Sequence, residues 1–286
     1  MTRNGTMRRL RDALPLVPFL AFLVIFLVVP TITVVVGAVR DDNGFTLDKI
    51  RTLGSDAALS ALWKSVLLSG TTAVVGAVLG ALLCYLVLAS PPTSLFRRAV
   101  TSVCSVLAQF GGVALAFAFV ATISFNGVVT VWLRDHAHLD IYGSGWLYEL
   151  PGLILVYSYF QIPLMVIVFL PALEGLRPQW REAAVNLGAT PRQYWTQIGF
   201  PLLTPAFLGS LLLLFANAFA AYATAAALVS QGSPILPLLI RAALTSEVVL
   251  GQAGFAYALA LEMIVVVSVV MVAYSMLVRR TSRWLQ

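Results

Sequence analysis

The sequence predicts an all-α membrane protein: six transmembrane helices, with one amphipathic loop held outside the bilayer. Three observations predict it. Only 10% of the 286 residues are charged and 60% are hydrophobic, whereas an ordinary soluble domain carries roughly 25% charged residues. Six apolar runs reach the ~20 residues that cross a bilayer as a helix. Lipid offers backbone groups no outside partner, so each run should be helical.

The first run covers about 14–39. Arg3, Arg8, Arg9 and Arg11 precede it, as in a secretory leader. The run is too long for a leader's apolar core, however, and no small-x-small cleavage pattern follows, so it reads as a retained first helix. An outer segment, 40–61, contains the turn signal Asp41-Asp42-Asn43-Gly44. The second run, 62–89, stops at Ser90-Pro91-Pro92-Thr93-Ser94, where the prolines end the helix. The third run is 99–123, and the fourth, after an outer segment at 124–150, is 151–173. The fifth, 202–228, has a blurred start because Pro201 and Pro205 sit there. A further outer segment, 229–253, holds the turn Ser230–Pro234 and an apolar stretch, Ile235–Leu244. That stretch is too short to span, which favours a re-entrant or interfacial helix. The sixth run is 254–278. With no repeat or soluble appendage in view, residues 1–286 read as one membrane domain.

Orientation follows from the basic residues. With the N-terminus inside, the inner segments hold twelve, among them Arg97, Arg98, Arg177, Arg181 and Arg192, and the outer segments hold six. This positive-inside bias places both termini in the cytoplasm. The basic pI of 9.6 reflects that rule, and no nucleic-acid motif is present.

The inner segment 174–201 is unlike the others. Trp180, Ala183, Ala184 and Leu187 recur at i, i+3, i+4 and i+7, lining one face of a short helix. Gly188 follows the last of them and suits a left-handed C-terminal cap. Thr190, Pro191 and Gln193 then give an N-cap, a first-turn proline and a capping box. The expectation is two short helices about a sharp turn, with Ala183 and Ala184 on a shared contact face.

The spacing from Glu182-Ala183-Ala184 through Gly188 to Ile198 and Pro201 resembles the EAA loop of binding-protein-dependent ABC importer permeases, whose transmembrane domain is MetI-like. Phe200 departs from the Leu common there, keeping an apolar anchor. The tract Ala216–Thr224 is similar to the fifth-helix region of the polyamine and iron-type members. The resemblance implies a six-helix permease with a cytoplasmic coupling helix around Glu182 that docks on an ATPase. It implies two such ATPase subunits, which bind ATP and Mg, and a second permease, more often a related chain than a second copy. An external solute-binding protein would deliver a small solute: a polyamine by first expectation, with iron, thiamine, phosphonate or sulfate as alternatives. Residues Trp180, Glu182, Ala183, Ala184, Leu187, Gly188, Ile198 and Pro201 would couple the permease to the ATPase in a bacterial plasma membrane.

Polar residues at depth are functional candidates by default. Glu262 is the only acid inside an apolar run, while Gln109, Gln161 and Asn217 lie within the third, fourth and fifth. With Tyr222 they form a candidate translocation path; for the amides, interhelical hydrogen bonding is the stronger reading. Glu262 also keeps open a secondary transporter or channel, although no inverted repeat is visible. Cys84 and Cys104 fall in apolar stretches and read as buried thiols. His136 and His138, beside Asp135 and Asp140, read as a solvated loop rather than a metal site. No nucleophile–base pair or Walker motif occurs, so the chain is not expected to be an enzyme.

Overall fold

The computed structural model describes residues 16–41, 44–91, 93–143, 145–229, 235–245 and 252–282. The expectations at Asp42-Asn43, at Ser230–Pro234 and for Arg3, Arg8, Arg9 and Arg11 lie outside these residues. Among the described residues, six helical stretches are long and apolar enough to cross a membrane, the third of them, Gly112–Ala137, being interrupted by a turn.

Helix α1 is Val17–Val39, followed by a small antiparallel hairpin, β1 (Arg40–Asp41) and β2 (Gly44–Phe45), and a one-turn helix α2 (Asp48–Arg51). Helix α3, Asp56–Ala89, starts six residues earlier than its apolar run. The N–H of Ala58 donates to Ser55 Oγ and that of Leu59 to the Ser55 carbonyl, a cap that starts the helix before the apolar residues do. Helix α7, Leu150–Glu174, matches the fourth run within one residue at each end. The last helix, α12, is Gln252–Ser282.

Two spans differ from their sequence readings. The third is broken into α4 (Leu95–Leu107) and α5 (Gly112–Ile123), and α6 (Val128–Ala137) follows after a tight turn. Gly112 has φ +69°, a left-handed conformation that a residue with a Cβ avoids. The fifth is shifted as well as broken. Helix α9 runs from Pro191 to Ala220 without a stop and ends at Ala221-Tyr222, before α10 (Ala223–Leu228). The expected second short helix is therefore the first turn of a long one.

The prolines explain the continuity. Wide π-type turns lie at Val24–Val28 and Trp195–Gly199, just before Pro30 and Pro201. A proline ring collides with the carbonyl four residues back and offers it no N–H. Those carbonyls belong to Phe26 and Gln197, at the middle of each wide turn. Widening the turn moves them aside, and the helix passes through the proline.

Contacts cluster the chain into two units, Met1–Leu59 with Ile240–Ile264 and Ser60–Leu239 with Val265–Gln286. In the first, Tyr257 packs over Gly37, where a Cβ would come within 2.9 Å of the ring. Lys49 Nζ donates to the carbonyls of Gly37 (3.2 Å) and Arg40 (2.6 Å), satisfying acceptors at the end of α1.

The second unit is built around α7, whose buried face runs from Gly152 to Leu173. One cluster joins Leu68, Leu115, Tyr157, Phe160 and Leu228; another joins Cys84, Cys104, Met165, Phe169 and Leu214. Both cysteines are free and buried, as their settings predict. Helix α3 approaches α7 closely through Gly76 and Gly80. A Cβ at Gly76 would lie 2.8 Å from Gln161 Cβ, and one at Gly80 2.5 Å from Met165 Cβ. This Gly-x-x-x-Gly spacing lets two backbones meet inside lipid. The short apolar stretch expected after the fifth span is helix α11, Leu236–Thr245. Its first N–H donates to buried Ser65 Oγ at 2.7 Å.

Candidate functional site

Two places gather the residues singled out by the sequence. The first is the loop between α7 and α9. Helix α8, Pro178–Asn186, opens with proline at its first position and ends at Gly188, whose φ is +79°. The N–H of Gly188 donates to the Val185 carbonyl and that of Ala189 to the Ala184 carbonyl, each at 2.9 Å. This paired closure is the Schellman arrangement, and it turns the chain sharply. The capping box then forms as expected: Gln193 N–H donates to Thr190 Oγ1 (3.3 Å), and Thr190 N–H to Gln193 Oε1 (2.7 Å). The turn is thus fixed from both sides by local bonds.

The faces of α8 differ from the sequence reading. Ala184 is buried, but Ala183 is exposed and Leu187 is 88% exposed. Successive helical residues point ~100° apart, so neighbours need not share a face. Leu187, at the C-cap with ψ 5°, has left the helical spiral and with it the stripe. The outward apolar residues are Trp180, Val185 and Leu187. Glu182 is exposed beside them, with no side-chain hydrogen bond or ion pair among the described residues. Ile198 is half-buried, and Pro201 and Phe200 are exposed.

Trp195 was not singled out by the sequence, yet it organises the base of the loop. Its indole meets Tyr85 edge-on at 6.0 Å and packs near Tyr194 and Phe200, each at 5.7 Å. A Cβ on Gly199 would come within 2.5 Å of that indole. A Trp four residues before a Gly, in a helix end rich in aromatics, was the available signal. The Gly-x-x-x-Gly of α3 was equally readable.

The second place is where the third and fifth spans break. A cavity of about 300 Å³ lies there, lined by Gly111, Gly112, Asn217, Tyr222 and Thr224 among others. The broken ends are tied together: Gly112 N–H donates to Thr224 Oγ1 at 2.9 Å, and buried Tyr157 donates its hydroxyl to the Ala221 carbonyl at 2.6 Å. Irregular backbone at membrane depth persists where protein buries it or where it lines a cavity. Gln109 is exposed in the turn that precedes Gly111. Gln161 stands behind the cavity as a strut. It is fully buried and donates to the Leu214 carbonyl at 2.7 Å, while Asn217 Nδ2 donates weakly to its Oε1 at 3.4 Å. Glu262 belongs to the other unit, half-buried, with one carboxylate oxygen that has no partner among the described residues.

The fold has close counterparts. A chain of a bacterial ABC transporter involved in the import of the acidic polysaccharide alginate superposes with a TM-score of 0.76, at 20% identity, over 98% of each chain. A chain of the MetNI methionine ABC transporter superposes with a TM-score of 0.58, at 15% identity, over 78% of this chain and 95% of that one. The chain has the ABC importer permease fold. By sequence, the chain is 24% identical over 196 residues to the ferric transport system permease protein FbpB of Actinobacillus pleuropneumoniae. It is also 35% identical over 92 residues to the sulfate transport system permease protein CysT of Escherichia coli, covering 32% of this chain and 31% of that one. The ferric match covers 68% of this chain but 28% of the relative, so the chain spans under a third of that relative's length. No protein-family model matches the chain.

Proposed function

We propose that this permease is the membrane-spanning subunit of an ATP-driven importer, with residues 1–286 acting as one domain. Its partners are two ATPase subunits, which hold ATP and Mg and carry out hydrolysis, a second and related permease chain, and an external solute-binding protein. The chain itself catalyses no reaction. It sits in a bacterial plasma membrane with both termini and α8 in the cytoplasm. The observation that carries this reading is the doubly capped loop at 178–193, which presents Trp180, Val185 and Leu187 beside an unpaired Glu182. Such a rigid apolar knob with one free carboxylate suits a groove on a partner.

The solute is small and passes the cavity at the broken spans, with Gln109, Asn217 and Tyr222 beside it and Gln161 holding the wall. Among the proposed solutes, ferric iron and sulfate are those named for relatives; the polyamine expectation has no such support. Glu262, in the other unit, has a carboxylate oxygen without a partner among the described residues and fits a cation.

Co-purification tests the assignment. The permease is expected to bring down an ATPase from its own cells and to lose it when Leu187 and Val185 are changed to Asp. Uptake into the same vesicles that runs on an ion gradient without ATP would instead establish a secondary transporter, and Glu262→Gln would then abolish it.

A further inference from the structure

Arg97 Nη2 donates to Glu174 Oε1, an ion pair between the first turn of α4 and the last residue of α7. Among the described residues the other ion pair, Arg51 with Asp48, lies within one helical turn. The Arg97 side chain is 19% exposed and that of Glu174 41%, so salt screens this pair less than a surface bridge. Its neighbour Arg98 is exposed and has no ion pair among the described residues.

Position gives the pair its consequence. Glu174 leads through Gly175, Leu176 and Arg177 straight into α8. From Arg97, α4 runs ~15 Å at 1.5 Å per residue to Leu107, where the turn to Gly111–Gly112 beside the cavity begins. Along it, Arg97, Val100, Cys104 and Leu107 recur at helical spacing on the less exposed face. Val100 and Cys104 join the cluster that holds Phe169, Leu170 and Leu173 of α7. Helix α4 is therefore a rod, pinned at the base of the α8 loop and ending at the broken turn. Packed elements shift as bodies rather than deform continuously.

We propose that Arg97–Glu174 is a coupling latch: it fixes α4 to the root of α8, so that displacement of α8 reaches the broken turn beside the cavity. This rests on the docking role given to α8 above. Arg97 and Glu174 are positioning residues, since the displacement passes through α4.

Hydrogen–deuterium exchange tests the latch, on the permease purified with its ATPase in lipid nanodiscs, with and without ATP and vanadate. In the wild type, α8 (178–188) is expected to exchange more slowly once the ATPase docks, and segment 108–113 to change its exchange on addition of ATP and vanadate. Arg97→Gln and Glu174→Gln keep the first response and lose the second. Arg98→Gln keeps both. The reversed pair, Arg97→Glu with Glu174→Arg, regains the second response. An ATP-dependent change at 108–113 that survives both single substitutions overturns the latch, and so does its absence from the wild type. Should the single variants fail to assemble, Arg97→Lys and Glu174→Asp keep the charges and are expected to restore both assembly and response. Assembly without the response again overturns the proposal. A wild type without protection at 178–188 is a separate failure, which removes the docking role of α8 and the latch with it.

Discussion

At Gly188 the backbone sits at φ +79°, a conformation that costs an L-residue ~1–2 kcal/mol. The space where a Cβ would stand is empty. Any penalty for substitution is thus conformational rather than steric. Gly188→Val is expected to insert normally yet lose ATPase stimulation, because the Schellman turn opens and α8 loses its aim. Asn tolerates the left-handed region, so Gly188→Asn should keep most of the stimulation. Equal losses in the two variants, read as ATP turnover in proteoliposomes, would show that the turn does not matter through its backbone. These cap residues were legible in the sequence because their bonding is local: Gly188, Thr190 and Gln193 each bond within five residues. The inward turn of Ala184 and the outward turn of Ala183 were not legible. A nine-residue helix carries too few turns for its sequence to fix its buried face.

Elements were legible as hydrophobic lengths and illegible where tertiary bonds interrupt them. The fourth span matches its apolar run, the helix continuing through Pro163 and Pro171. The third and fifth break at Gly111–Gly112 and Ala221–Tyr222, where bonds from Thr224 and Tyr157 take up freed backbone groups. Those donors and acceptors lie 112 and 64 residues away in sequence, beyond any local pattern. The start of the fifth span, blurred in the sequence by Pro201 and Pro205, lies further back at Pro191 because a wide turn accommodates Pro201. Between elements, the α3–α7 contact depends on bare backbone at Gly76 and Gly80. Gly80→Leu must push Met165 aside, and overpacking of this kind costs ~1–3 kcal/mol. A lower midpoint of thermal unfolding in detergent is expected. Gly70→Ala serves as the control, because nothing stands within 4 Å of its added Cβ and the midpoint should not fall. A fall at both positions alike would mean that the loss does not come from the α3–α7 contact.

For the whole molecule, the count of crossings decides which face each surface belongs to, and the third crossing is the one in question. Helices α4, α5 and α6 have 13, 12 and 10 residues, each short of the ~20 needed to span. Only a composite of them carries the chain across. Phe45 lies before the second span and Val185 after the fourth, and both side chains are exposed. Three crossings between them put the two residues on opposite faces; two crossings would put them on the same face. Cys84 and Cys104 are buried, so a cysteine introduced at either site is labelled over a low background. In intact cells, Phe45→Cys is expected to react with a membrane-impermeant maleimide and Val185→Cys to react only after the membrane is opened. Reaction of both from outside would mean that the broken third span turns back without crossing, and α8 would then be out of reach of any cytoplasmic ATPase.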